Sequence, residues 1–132
     1  MKKTILVVED EKLSRKLIVG TLINHGFECL TAENGQYALD ILENNQCDLI
    51  LTDLRMPIMD GVEFIRAFRE RETEGNHKAD INNQHKIPIV VLSAEEGEML
   101  ERAFKLDIAG YFIKSSSIET LIPKLKDLLH TQ

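Results

Sequence analysis

The sequence predicts an α/β fold, a five-stranded doubly wound parallel sheet with five helices. Three observations carry this. The chain has 132 residues, 43% of them hydrophobic, which suits one domain able to bury a core without disulfides or structural metal. Five short apolar, β-branched runs recur along it. Segments of helical period alternate with them, the pattern of a parallel sheet wrapped on both faces.

The runs that predict strands are Thr4–Val8, Glu28–Ala32, Leu49–Asp53, Ile89–Ser93 and Gly110–Ile113. After the first, Leu17, Ile18, Thr21 and Leu22 mark one face of a helix. Ala38, Ile41 and Leu42 mark the second helix, Val62, Ile65 and Phe68 the third, and Leu100, Ala103 and Phe104 the fourth. The fifth face is the strongest: Leu121, Ile122, Leu125, Leu128 and Leu129. Pro123 falls inside that pattern, so the last helix either starts near Ile122 or is kinked. Between the third helix and fourth strand, residues 73–86 form a polar stretch longer than the usual roughly 2–6 residues, which reads as an exposed loop. The whole of 1–132 reads as a single domain, with Met1 as its start and His130-Thr131-Gln132 where an output linker would begin.

Composition excludes several classes. With 16 Lys and Arg against 22 Asp and Glu the net charge is −6, which argues against direct nucleic-acid binding. Cys29 and Cys47 lack the spacing of a redox or zinc site and read as reduced, buried thiols, in keeping with a cytoplasmic protein. The apolar run after Lys2-Lys3 stops at Glu9-Asp10-Glu11, too early for a signal peptide, and no stretch approaches the ~20 apolar residues of a membrane span.

Doubly wound sheets bind ligands beyond the carboxyl ends of their strands. There the sequence places Glu9 and Asp10, Asp53, Ser93 and Lys114. Singly, each has an ordinary role: an acid before a helix is an N-cap, a lysine a surface charge. Together they are different. Two carboxylates ~4 Å apart repel by about 4 kcal/mol at an effective dielectric near 20. A divalent cation offsets that repulsion, and Mg²⁺ takes one or two carboxylates while leaving room for phosphate oxygens. Lys114 adds a point charge suited to a phosphoryl group. These are the parts for phosphoryl transfer to a carboxylate.

Four segments, in order, resemble one known family. Ile5-Leu6-Val7-Val8-Glu9-Asp10-Glu11, Asp53-Leu54-Arg55-Met56-Pro57-Ile58-Met59-Asp60-Gly61, Val91-Leu92-Ser93-Ala94 and Gly110-Tyr111-Phe112-Ile113-Lys114 are similar to the motifs of the receiver domain of two-component response regulators. The resemblance spans nearly the whole chain. It implies a flavodoxin-like sheet of order 2-1-3-4-5 and a phosphorylation-controlled switch of a two-component or phosphorelay system. Asp53 would be the phosphoacceptor. Glu9, Asp10, Asp53 and the backbone carbonyl of Arg55 would hold Mg²⁺. Lys114 and Ser93 would bind phosphoryl oxygens, and Tyr111 would turn inward as Ser93 moves. Met56-Pro57 and Gly61 would shape the turn after Asp53. The donor would be a sensor histidine kinase or a histidine phosphotransfer protein, with a downstream effector the sequence does not name. A homodimer through the face around the fourth and fifth helices stays open. Such a domain is no turnover enzyme, although it assists its own phosphorylation and dephosphorylation.

This chain departs from the family pattern in places. Ser115 stands where proline usually follows the lysine, and since a non-proline cis bond costs ~2.5–4 kcal/mol a trans peptide is expected. Ser116 replaces a common aromatic. In the long loop, His77, Asp80 and His85 match no metal spacing. Arg55 and Glu95, two residues after Asp53 and Ser93, would flank the site mouth as a partial lid. Three rivals fit less well. A haloacid-dehalogenase-like phosphatase wants a carboxylate where Arg55 stands, and a flavodoxin wants a Ser/Thr-rich phosphate loop where Glu9-Asp10-Glu11 stands. A degenerate receiver would not need the intact acidic set.

Overall fold

The computed structural model describes residues 2–74, 86–94 and 97–129. Strands β1 (Thr4–Val8), β2 (Glu28–Ala32), β3 (Leu49–Asp53), β4 (Ile89–Ser93) and β5 (Gly110–Ile113) form one parallel sheet in the order β2-β1-β3-β4-β5. These are the strand bounds the β-branched runs predict. Helices α1 (Lys12–Asn24), α2 (Gly35–Asn44), α3 (Gly61–Glu74), α4 (Glu98–Phe104) and α5 (Ile122–Leu128) alternate with them.

Period-two alternation sorts the strand residues onto two cores. Leu6, Val8, Ile50, Ile89 and Val91 face α2, α3 and α4, packing with Leu42, Phe64, Ile65, Phe68 and Leu100. Ile5, Val7, Leu49, Leu51, Val90 and Leu92 face the other way, onto Ile18 and Leu22 of α1 and Ile122 and Leu125 of α5. All residues of β3 and β4 are buried, as central strands covered on both faces should be.

Two helical expectations are corrected. Leu17 and Phe104 lie outside the core, 67% and 51% exposed. Each sits beside the buried stripe of its helix: Ile18, Thr21 and Leu22 cover the sheet on α1, and Leu100 and Ala103 on α4. Cys29 is half-buried where a buried thiol was expected, because β2 is an edge strand; Cys47 is buried. Burial pushes the Cys29 thiol up to about 11 and that of Cys47 to about 12, so both stay protonated at neutral pH.

The long connection is shorter than the composition suggests, since α3 continues through Thr73 and Glu74. Glu72, buried, accepts a hydrogen bond from the Ile87 backbone N–H and pairs with Arg69, which also donates to the carbonyl of Asp107. These bonds tie the end of α3 to the start of β4. His77, Asp80 and His85 lie outside the described residues. Pro123 sits in the first turn of α5, which follows a 3-10 turn over Ile118–Leu121, so its missing N–H costs no helical bond. No described helix is long and apolar enough to cross a membrane.

Candidate functional site

The chain reverses its direction of travel across the sheet at β1, which lies between β2 and β3. The crevice at such a switch point opens at the carboxyl ends of β1 and β3. Glu9 and Asp10 leave β1 there, and Asp53 is the last residue of β3. One carboxylate oxygen from each of Glu9, Asp10 and Asp53 lies within 4.8 Å of the others, with Glu9 and Asp53 buried and Asp10 exposed. Lys114, just past β5, closes the cluster, with Nζ 2.6 Å from Glu9 Oε1 and 3.0 Å from Asp53 Oδ2.

Local chemistry holds these groups in place. Glu11 caps α1, accepting from the Ser14 N–H at 2.7 Å, and its own N–H donates to Glu9 Oε2. Arg15 donates to the Glu9 carbonyl at 2.8 Å. Asp53 Oδ1 accepts from the Leu54 N–H at 2.8 Å, which orients the carboxylate. The following turn is closed by the Gly61 N–H on the Leu54 carbonyl and by a reciprocal pair in which Asp60 and Glu63 side chains each accept the other's backbone N–H. A Cβ on Gly61 would run into the Asp53 carbonyl and Leu54 Cα, so only glycine lets α3 start this close to the site.

Electrostatics follow from burial. Glu9 has no exposed surface. Desolvation holds its carboxyl above the ordinary 4.5, against the opposing pull of Lys114 and the Glu11 N–H and with repulsion from Asp53 adding to it. Burial alone would lower Lys114, but its contacts with Glu9 and Asp53 outweigh it and hold the ammonium above 10.5. Glu9 Oε1 is buried without an aligned hydrogen-bond donor, although Nζ is close. We read that contact as charge pairing off the donor direction. A carboxylate oxygen in that state, among two further carboxylates, is a donor set that suits a hard divalent cation.

Beside Lys114 a cavity of about 280 Å³ opens between Asp53, Arg55, Ser93, Ala94, Gly97, Met99 and Leu100. Ser93 is buried at the end of β4, and its carbonyl accepts from the Lys114 N–H at 2.7 Å, carrying β5's last turn onto the site. No described peptide bond is cis, so Lys114-Ser115 is trans. Tyr111 is 37% exposed and rests edge-on against Phe104, ring centroids 5.4 Å apart. Arg55 is exposed at the cavity mouth, while Glu95, expected to face it, lies outside the described residues.

Sequence reasoning did not anticipate Gly97, Met99 and Leu100 as cavity walls, since a wall formed under a seven-residue helix has no motif. It also missed Arg15, whose contact is with a backbone carbonyl. Ile58 was missed too. It stands at φ 71°, the one non-glycine residue with positive φ among those described. The Met59 N–H reaches back to the Pro57 carbonyl at 2.7 Å, making Ile58 the centre of a tight three-residue turn. Left-handed backbone costs an L residue roughly 1–2 kcal/mol.

An acidic pocket with a lysine at the switch point of a 2-1-3-4-5 sheet defines a class of phosphate-handling α/β domains. Within that class, the family model for the response regulator receiver domain matches residues 5–126, and this chain belongs to that family, the signalling switches of two-component systems. It is 34% identical to the phosphate regulon transcriptional regulatory protein PhoB of Pseudomonas aeruginosa over 96% of this chain and 52% of that protein. The chain spans about half the length of the bacterial regulators it matches. In structure it is similar to the chemotaxis response regulator CheY4 of Vibrio cholerae, with TM-score 0.81, 27% identity and coverage of 97% of this chain and 99% of that one. It shares its fold with the receiver domain of the sensor histidine kinase PA1611 of P. aeruginosa, which holds a magnesium ion in its active-site cleft, at TM-score 0.81, 23% identity and coverage of 99% and 100%.

Proposed function

We propose that this domain accepts a phosphoryl group from a phosphohistidine onto Asp53, in a cytoplasmic two-component or phosphorelay pathway. The observation that carries the reading is the convergence of Glu9, Asp10 and Asp53 with Lys114 at one end of the sheet. The phosphohistidine would sit on a sensor histidine kinase or a histidine phosphotransfer protein.

Asp53 is positioned as the nucleophile: Leu54 N–H fixes one carboxylate oxygen and Lys114 contacts the other. Its oxygen forms the new bond to phosphorus while the P–N bond to the donor imidazole breaks, and the ring, protonated beforehand on its other nitrogen, leaves as neutral imidazole with the P–N electron pair. Lys114 then exchanges its contact with Asp53 for a phosphoryl oxygen, and Ser93 donates to another. Glu9, Asp10, Asp53 and the Arg55 carbonyl would hold Mg²⁺, which when bound neutralises the carboxylates and the incoming phosphoryl charge. The buried Glu9 oxygen without an aligned donor supports this set, as does the magnesium in the cleft of the PA1611 receiver. Tyr111, resting outside on Phe104, would turn inward when Ser93 moves toward the phosphoryl group, and Arg55 would crowd the path of attacking water. The domain is a phosphoacceptor that assists its own modification and release, not a turnover enzyme.

Incubation with Mg²⁺ and phosphoramidate, followed by intact-mass measurement, is expected to add one phosphoryl group to the wild type and none to Asp53→Asn. Equal labelling of the two proteins refutes Asp53 as the acceptor.

A further inference from the structure

Every polar atom of Glu9 has a neighbour. Its N–H donates to the Ala32 carbonyl at 3.0 Å, Oε2 accepts from the Glu11 N–H, Oε1 lies beside Lys114 Nζ, and its carbonyl accepts from Arg15 Nη1 at 2.8 Å. Asp10, the next residue, is the opposite case. It is exposed, and its carboxylate makes no hydrogen bond or ion pair among the described residues. Its place beside Glu9 and Asp53 therefore comes from the backbone. A peptide is planar, so fixing the Glu9 carbonyl fixes the plane that carries Asp10 N and Cα.

The Arg15 contact is a costly use of a guanidinium. Arg15 is half-buried, makes no ion pair among the described residues, and stands in the first turn of α1, its N–H on the Glu11 carbonyl. The helix dipole disfavours a cation there, and that turn holds no acid to offset it. Helical side chains lean toward the N-terminus, which carries the guanidinium back over the turn to Glu9. What the position gains is the hydrogen bond to the Glu9 carbonyl.

We infer that Arg15 is a positioning residue of the metal site: its hydrogen bond to the Glu9 carbonyl holds the Glu9-Asp10 peptide in the orientation that brings the Asp10 carboxylate to a divalent cation. The inference rests on the acidic set holding such a cation and is indifferent to which residue takes the phosphoryl group. The other two carboxylates do not need this help. Asp53 is oriented by the Leu54 N–H and Lys114, and Glu9 by the Glu11 N–H and Lys114. Asp10 depends on its peptide. A guanidinium suits the task, since it donates from a rigid planar fork and its charge strengthens a bond to a neutral carbonyl. The sign of that charge makes the role separable. As a bare charge Arg15 would repel the cation, and removing it would tighten binding; as a positioner, removing it loosens binding.

The test reads metal affinity and needs no phosphorylation. Mn²⁺ binding followed by electron paramagnetic resonance, with Mg²⁺ as competitor, gives Kd for the wild type, Arg15→Met, Arg15→Lys, Asp10→Asn and the double variant Arg15→Met with Asp10→Asn. Partners that orient metal ligands are worth roughly 10–100-fold in metal affinity. Arg15 acts through one ligand of the set, so Arg15→Met should weaken both ions by about tenfold. Arg15→Lys keeps a charged donor and should bind between the wild type and Arg15→Met. In the Asp10→Asn background the change at Arg15 should shift Kd by less than about twofold, since the ligand it positions is already gone. Urea denaturation without metal separates this from folding: a merely structural Arg15 lowers stability and leaves the Kd of the folded protein where it was. Arg15→Met binding as tightly as the wild type or tighter overturns the inference, as does Arg15→Lys no better than Arg15→Met, or a full tenfold loss in the Asp10→Asn background. A wild type that binds neither ion overturns the metal reading itself, and this inference with it.

Discussion

At the carboxyl ends of β1 and β3, Glu9 has no exposed surface, Leu54 orients Asp53, Glu11 caps α1, and Gly61 presses α3 against the turn. At the ends of β4 and β5 the described residues are less tightly held. A cavity of about 280 Å³ lies under α4, the helix has seven residues and starts at Gly97 without a side-chain cap, and no residue of β5 is fully buried. The first half carries the carboxylates, with Lys114 reaching them from the end of β5, and is built ahead of any reaction, as electrostatic preorganisation requires. The second half meets the phosphoryl group through Ser93 in the proposed mechanism, with Tyr111 following Ser93, and has the free volume that a moving element needs. A domain that must both react at a fixed geometry and report the reaction can keep its carboxylates on one pair of strands and its moving parts on the other, with Lys114 joining the two.

The largest test of that contrast is Lys114→Met, which removes the cation that reaches from the end of β5 into the fixed half. Removing one partner of a largely buried ion pair strands the others, and urea denaturation at neutral pH should show a loss of about 3 kcal/mol. The pH dependence has a definite sign. Lys114 is held above 10.5, so its contribution is whole below that value and lost only as pH rises through the raised one. Glu9 is held above 4.5, so what its environment contributes is whole below 4.5 and fades as pH rises through its raised value. The deficit of the variant should therefore grow from acid toward neutral pH, and saturating Mg²⁺ should narrow it. A deficit that is flat with pH would mean that Lys114 does not neutralise the pocket.

Two glycines sharpen the comparison at intermediate size. Gly61→Ala forces a Cβ onto the Asp53 carbonyl and Leu54 Cα, and overpacking of this kind costs about 1–3 kcal/mol. Gly97 has nothing within 4 Å of its would-be Cβ and extended backbone, so Gly97→Ala should fall within about 0.5 kcal/mol of wild type. Equal effects in the two variants would erase the distinction between a clamped and an open half.

The sequence displays the clamped half better than the open one. Acid pairs at strand ends and the Asp-Gly before α3 are local signals, and the site residues they mark do converge. All five strands also lie where the β-branched runs place them. Helical period is less decisive, because a stripe of apolar residues says which side chains share a face but not whether the sheet or a partner covers it. That is why Leu17 and Phe104 read as core and are exposed. Ile58 was illegible for a different reason. Its positive φ belongs to a three-residue turn closed by the Met59 N–H on the Pro57 carbonyl, which no residue type there announces. The α4 cavity likewise exists only once a short helix is laid across the end of β4.

The smallest expected effect probes the open half directly. Phe104 and Tyr111 meet edge-on at 81° with centroids 5.4 Å apart, on a surface where both are substantially exposed. Such pairs contribute about 0.5–1.5 kcal/mol beyond area burial, and exposure puts this one at the low end. A double-mutant cycle of Phe104→Leu and Tyr111→Leu should therefore give a coupling of about 0.5 kcal/mol in the unmodified protein. Repeating the cycle with beryllofluoride and Mg²⁺ turns this small number into a test of the switch. If Tyr111 leaves Phe104 and turns inward when the phosphoryl mimic binds, the coupling should vanish while each single variant still folds. A ligand can shift the ring only by binding its two positions differently, so Phe104→Leu, which weakens the outward position, should also bind beryllofluoride slightly tighter, by about twofold. A coupling unchanged by the mimic would show that Tyr111 stays on Phe104, and would move the readout to α4 itself.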